Sequence, residues 1–415
     1  MRFSFGPFTL DAASRSLAFR GHIRQLSEKI FQVLLLLVQA RGETVKKETF
    51  FDNVWPGEYV HEANLTQHVF MLRAILKEYD KDAAYVLTVS GRGYRLGAEV
   101  REDTKPASAP RSLPADESAA LQLCCAGNQL LEKRSLPSIR LAERYFEEAL
   151  TLHDRYRAAF IGLARAQALL GEYMYASPVE AFSNAKDLIA RALAVDPQSA
   201  DAYALQSELA LFADWDFTVA RETLNAAFAL DPDSMLVCQN RVWLSVCSGD
   251  FDAALYQVRD AMQRAPFTLA LLYLLGRVLV HRGEYRAARR SLASVLEIDP
   301  SFVLAKEWLA LSLLFEGRPD ACLLQLNTSR DKNARDLSYL EGRALAETGE
   351  KTAARSLLSG MCTHGRESYV PSWYLACIEA GLGMKSEATE HLEIATSSRE
   401  IPALFSRMLP MFTSL

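Results

Sequence analysis

The sequence predicts a multidomain chain: an α+β domain over residues 1–100, then an all-α array of helix pairs over residues 119–402. Three observations carry this reading. At the N-terminal end, short alternating strand patterns surround three helical ones. Residues 101–118 hold three prolines and little that is apolar, which marks a flexible tether. Beyond the tether, two independent markers recur at intervals of 32–35 residues.

Taken in order, residues 3–10 and 16–26 alternate and are broken by Gly6, Pro7 and Gly21, so they read as a small antiparallel sheet. Ser27 is placed to cap a helix over 28–40, which Gly42 ends. A second helix is expected over 46–54, stopped by Trp55-Pro56-Gly57, and a third over 62–77. Residues 85–96 close the domain as a hairpin whose turn is Gly91-Arg92-Gly93. Strands, three helices and a closing hairpin are the order of a winged helix-turn-helix.

The third helix suggests the chemistry. Leu65, Val69, Leu72 and Leu76 are spaced four, three and four, which makes one buried stripe. Asn64, Gln67, Phe70, Met71 and Ala74 project opposite it, and Thr66, His68 and Arg73 flank it. Asn and Gln can bind adenine bidentately, and Phe, Met or Ala can meet thymine methyls. The alternative is an ordinary solvent-facing helix, which would usually carry more Glu and Lys. Arg92, between two glycines, can reach a minor groove or a phosphate, and Arg95 follows on the strand. Lys46 and Lys47 open the second helix, where the helix dipole also favours phosphate. Their joint placement around one helix points to double-stranded DNA.

Several strings then combine: Phe8-Thr9-Leu10-Asp11, Leu26-Ser27-Glu28-Lys29, Val54-Trp55-Pro56-Gly57, Asn64-Leu65-Thr66-Gln67-His68-Val69 and Arg92-Gly93-Tyr94-Arg95. With them, residues 3–97 resemble the OmpR/PhoB-type DNA-binding domain. The resemblance implies that helix 62–77 enters the major groove and that the Arg92 turn touches the minor groove. Many members carry basic residues where Phe70 and Met71 stand, so contacts there must be apolar.

In the second part, Asp196-Pro197, Asp231-Pro232, Ala265-Pro266 and Asp299-Pro300 set prolines 35, 34 and 34 residues apart. Gly249, Gly283, Gly317, Gly349 and Gly383 follow at 34, 34, 32 and 34. Period and pattern resemble tetratricopeptide repeats, in about eight units, with the best copy over 269–302 and an insertion near 173–178. Such a unit buries its apolar face only by stacking on its neighbours, so Ala254, Ala288 and Gly276 read as packing devices. The resemblance implies a superhelix whose concave groove takes a protein or peptide partner, or a small effector. Arg277, Trp243, Trp308 and Trp373 could line that groove or belong to the core. Residues 403–415 read as a C-terminal tail.

Composition sets bounds on function. Half the residues are apolar and 23% are charged, as in globular proteins, and the net charge is −5. Residues 1–100 carry 13 Lys and Arg against 11 Asp and Glu, while the rest carries 33 against 40, so the first part is the more basic. The seven cysteines form no CxxC and read as reduced thiols, and Cys362 with His364 lacks a second ligand pair; no metal or cofactor is expected. No P-loop appears and no nucleophile–histidine–acid set, so the chain is not expected to be an enzyme. Met1 leads straight into a strand pattern, and the apolar runs 30–38 and 269–280 fall short of the ~20 residues of a membrane span. A cytoplasmic protein without a membrane partner is expected.

The expectation is a bacterial, sequence-specific transcriptional regulator, more an activator than a repressor, with virulence or secretion genes as targets. It would bind promoter DNA and RNA polymerase. The chain carries no N-terminal phosphoacceptor domain of the two-component kind, so control would fall to the repeats. The alternative is a repeat scaffold whose winged helix binds protein rather than DNA.

Overall fold

The computed structural model describes residues 2–12, 16–19, 22–26, 28–54, 62–80, 85–89, 91–102, 115–232, 234–264, 268–327, 336–364, 369–405 and 412. They divide into two units, Met1–Ser112 and Leu113–Leu415.

The first unit begins with β1 (Arg2–Phe5), β2 (Phe8–Asp11), β3 (Ser16–Phe19) and β4 (His22–Gln25). Gly6, with φ +54°, turns β1 into β2, and Phe5 faces Phe8 across the pair. Apolar alternation buries Phe3, Phe5, Phe8 and Leu10 on one face of this antiparallel sheet. Then come α1 (Glu28–Gln39), β5 (Val45–Lys46), α2 (Lys47–Val54) and α3 (Glu62–Tyr79), and after them β6 (Val86–Val89), β7 (Gly93–Leu96) and β8 (Val100–Glu102). The first sheet has the order β4-β3-β2-β1-β8, and the second has β5-β7-β6. Helix α1 ends where Arg41 and Gly42 turn left-handed, as the glycine predicts. Lys29 donates from Nζ to the Val54 carbonyl at 2.5 Å and so caps the end of α2.

The predicted stripe of α3 is the core of this unit. Leu65, Val69, Leu72 and Leu76 are each at most 2% exposed, packed with Leu34, Leu37, Phe50 and Leu96. Burying each such side chain contributes roughly 1.5–3 kcal/mol. The stops at Ser27 and Trp55-Pro56-Gly57 lie outside the described residues.

The second unit is helical throughout. Eight helix pairs are described: α4 (Ala115–Glu132) with α5 (Leu136–Leu152), α6 (Arg157–Glu172) with α7 (Pro178–Val195), α8 (Ala200–Leu209) with α9 (Phe217–Leu230), and α10 (Met235–Cys247) with α11 (Phe251–Arg264). Next are α12 (Leu269–His281) with α13 (Tyr285–Ile298), α14 (Val303–Phe315) with α15 (Pro319–Asn327), α16 (Ser338–Glu347) with α17 (Lys351–His364), and α18 (Ser372–Leu382) with α19 (Lys385–Ser397). A π-helical turn, Ala210–Asp214, extends α8, and a short α20 (Ile401–Leu404) follows the last pair.

Every turn inside a pair passes through a left-handed residue. Five are the marker glycines Gly249, Gly283, Gly317, Gly349 and Gly383; the first three pairs use Arg134, Met174 and Trp215 instead. The glycines end their helices with a bond from the following residue back five positions, as from the Glu284 amide to the Leu279 carbonyl at 2.8 Å. The period is therefore a period of backbone geometry, visible in sequence only where glycine supplies it. Gly276 is a packing position as expected, since a Cβ there would lie 2.7 Å from Leu292.

Two boundaries differ from expectation. The segment read as a tether, 101–118, is structured at both ends. Val100–Glu102 pairs with the free edge of β1, with Phe5 opposite Val100 and Ser4 opposite Arg101. Helix α4 starts at Ala115, with Asp116 and Glu117 in its first turn, where the dipole favours acids. Nor are residues 403–415 simply a tail: Ala403, Phe405 and Phe412 are buried. Their aromatic rings meet His281 and Trp373, a long-range apolar contact that local composition does not announce.

Candidate nucleic-acid interface

The candidate interface is organised by the pairing of β5 with β7. Lys46 lies opposite Gly93, and the Lys47 amide donates to the Arg92 carbonyl at 3.3 Å. This pairing corrects one expectation: Lys46 is strand, and the helix begins at Lys47. It also joins two groups of cations that are 45 residues apart in sequence. Glycine is required at position 93, where φ is +155° and a Cβ would lie 2.0 Å from the Val45 carbonyl oxygen. Any side chain there would break the pairing. Gly91, with φ +69°, has open space around it, so Arg92 stands at an exposed tip. Lys46 and Arg95 are exposed and Lys47 is half-buried. Strands β6 and β7 and the turn between them contain no acidic residue.

Helix α3 is tied to this hairpin. Arg73 donates from Nε to the Val86 carbonyl at 2.8 Å and from a guanidinium NH2 to Thr88 Oγ1 at 2.7 Å. Its guanidinium also lies 5.8 Å from the Tyr94 ring centre. Thr66 Oγ1 is 3.4 Å from the Tyr94 hydroxyl. Arg73 thus holds helix and hairpin in register. Thr66 is exposed and His68 half-buried on α3. The side chains of Asn64, Gln67, Phe70, Met71 and Ala74 lie outside the described residues, although all five positions belong to α3.

The repeat unit carries a second polar constellation, which sequence reading only half found. Arg277 and Trp243, Trp308 and Trp373, named as groove or core, lie in or beside one buried cluster. The Arg277 guanidinium is 4.1 Å from the Trp243 ring centre and 4.9 Å from that of Trp308, and it donates to Glu172 at 2.9 Å. Arg134 donates to the Tyr173 hydroxyl, and the Tyr339 hydroxyl donates to Glu307 at 2.7 Å. Glu172, Arg134 and Glu307 were missed. The available signal was a charged residue on an otherwise apolar helix, as with Glu307 in α14. A further pair, His391 with Glu379 at 2.7 Å, joins α18 to α19, a partnership no motif marks.

Four of the seven cysteines are buried, and among the described residues none forms a disulfide and no group of His, Cys, Asp and Glu could hold a metal. No described helix is long and apolar enough to cross a membrane.

The fold and these elements define the class: an OmpR/PhoB-type winged helix fused to TPR-like helical repeats. Residues 21–96 match the family described as "Transcriptional regulatory protein, C terminal". The chain is similar to the transcriptional regulator HilA of Salmonella typhimurium, 36% identical over 109 residues, which cover 26% of this chain and 19% of HilA. It is also similar to the transcriptional activator CadC of Escherichia coli, 27% identical over 130 residues, covering 28% of this chain and 25% of CadC. The cholera toxin transcriptional activator of Vibrio cholerae is 31% identical over 140 residues, covering 32% of this chain and 45% of that one. The chain thus matches less than half the length of each of these relatives.

Proposed function

We propose that this chain is a sequence-specific DNA-binding transcriptional regulator. The observation that carries the reading is the β5–β7 pairing, which sets Lys46 and Lys47 beside the Arg92 turn, with Arg73 fastening α3 to the same hairpin. Helix α3 then lies in the major groove, with Asn64, Thr66, Gln67, His68, Phe70 and Met71 toward the bases. Arg92 enters the minor groove, and Lys46, Lys47 and Arg95 meet phosphates. Of the three relatives, one is named a transcriptional regulator and two are named activators, which favours activation and hence contact with RNA polymerase. Virulence or secretion genes are the proposed targets, by analogy with the cholera toxin activator. The repeats receive the controlling partner or effector in the cytoplasm.

Chromatin immunoprecipitation with sequencing tests this. Discrete promoter-proximal sites are expected, lost in an Arg92→Ala strain; signal spread evenly along the chromosome would contradict the reading. At a recovered site, Gln67→Ala should relax preference at one base pair by ~1–3 kcal/mol, measured by competition among single-base variants.

A further inference from the structure

The repeat unit holds a partly open cavity of about 50 Å³, walled in part by Tyr273, Arg277, His281, Trp308, Trp373 and Phe405. Four polar side chains of this wall hold buried atoms with no hydrogen-bond partner among the described residues: the Tyr273 hydroxyl, Arg277 Nε, both ring nitrogens of His281, and Trp373 Nε1. Tyr273, Arg277 and Trp373 are only 2%, 5% and 2% exposed. Buried polar groups are almost always paired, so several unpaired ones around one cavity point to something that pairs them.

The inventory of these atoms sets the chemistry of the ligand. Arg277 Nε and Trp373 Nε1 can only donate, and the Tyr273 hydroxyl can donate. Burial and the neighbouring Arg277 guanidinium push His281 down to about 3, so its imidazole is neutral and offers one donor and one acceptor. The wall therefore calls for acceptors. It does not call for charge. Arg277 is already paired with Glu172, so an added anion would find no unpaired cation on this wall, and the donor-only atoms of Arg277 and Trp373 offer nothing to an added cation.

Phe405 shows what the rest of the ligand resembles. Its ring centre lies 4.6 Å from that of His281 and 6.4 Å from that of Trp243, immediately after α20. At roughly 10–15 Å³ for each water, the cavity has room for a few waters or a small polar head, but not for a second ring. A ligand ring would take the place of Phe405.

We propose that this interior binds a small uncharged molecule with an acceptor oxygen on an aromatic ring, the oxygen held by Tyr273, Arg277 and Trp373, the ring exchanging with Phe405. The site gives the effector of the regulatory reading a chemical class and rests on that reading only for its consequence, because binding is measured without DNA.

Calorimetry on the full chain compares acetophenone with ethylbenzene (the same ring without the acceptor), benzoate and benzylamine. Acetophenone should saturate one site per chain and bind about tenfold more tightly than the others, the worth of one buried hydrogen bond. Tyr273→Phe should weaken acetophenone several-fold and leave ethylbenzene unchanged, and Phe405→Ala should tighten acetophenone by about tenfold. The proposal is overturned if ethylbenzene or either ion binds as well as acetophenone, or if neither the parent nor Phe405→Ala binds it, which would leave a cavity filled by water only. Should Phe405→Ala fail to fold by circular dichroism, the Tyr273→Phe comparison decides alone. A chain that binds acetophenone but no promoter DNA keeps the site and loses the regulatory reading; the reverse outcome loses the site alone.

Discussion

In the winged helix, Arg92 and Arg95 stand at the surface and owe their position to strand pairing; in the repeat unit, Arg134 and Arg277 are buried and owe theirs to distant partners. Arg92 and Arg95 project from a hairpin whose backbone is set by Gly93 and Val45, and their charges stay in water. Arg277 is 5% exposed, paired with a Glu172 that lies 105 residues earlier, and stacked between two tryptophans. The same residue type therefore does opposite work. A surface cation is free to bind an external phosphate and contributes little to folding. A buried cation must be answered from within, and it ties the second helix pair to the fifth.

The largest expected effect breaks or sharpens this contrast. Arg277→Ala leaves Glu172 buried without its partner and should cost about 3–5 kcal/mol in urea denaturation. Arg92→Ala should stay within about 0.5 kcal/mol of the parent. Equal costs for the two would erase the distinction. Next is the backbone beneath the surface cations. Gly93→Ala drives a methyl into the Val45 carbonyl and should cost about 2–3 kcal/mol, whereas Gly91→Ala, with nothing nearby, should cost about 1 kcal/mol for its left-handed conformation alone. Equal Tm values for these two variants would show that β5 does not hold the hairpin.

A smaller effect is set by pH. His281 is held at about 3 against an ordinary 6.5, so between those values the unfolded chain takes up a proton that the folded chain refuses. Its contribution to stability is complete above pH 6.5 and is lost as pH falls toward 3. His281→Phe keeps the ring contacts and removes the titration, so its Tm should fall less between pH 7 and 4 than that of the parent. Parallel Tm curves would mean that His281 is solvated.

The contrast also explains what could be read in advance. The three helices of the winged helix lie close to their expected bounds, because each is set locally by an apolar stripe and by breakers such as Gly42. Lys46 escaped because its strand exists only through pairing with Gly93, far along the chain. The last five helix pairs are countable from the glycines at their turns. Arg134, Met174 and Trp215 take the same left-handed turn without glycine, so the first three units were only loosely visible. The buried cluster around Arg277 was partly legible as a charge on an apolar helix, but its partner was not: nothing in the residues near 172 specifies a contact with 277. The burial of Phe405 and Phe412 had no local signal at all.

The central claim is that the cations gathered by the β5–β7 pairing bind DNA phosphates. Fluorescence anisotropy of the full chain with promoter duplex, repeated across salt concentrations, tests it most directly. The logarithm of the binding constant should fall linearly with the logarithm of salt concentration, and Lys46→Ala, Lys47→Ala and Arg95→Ala should each reduce the slope by about one. An unchanged slope in all three variants, with affinity equal to the parent's, would contradict the account.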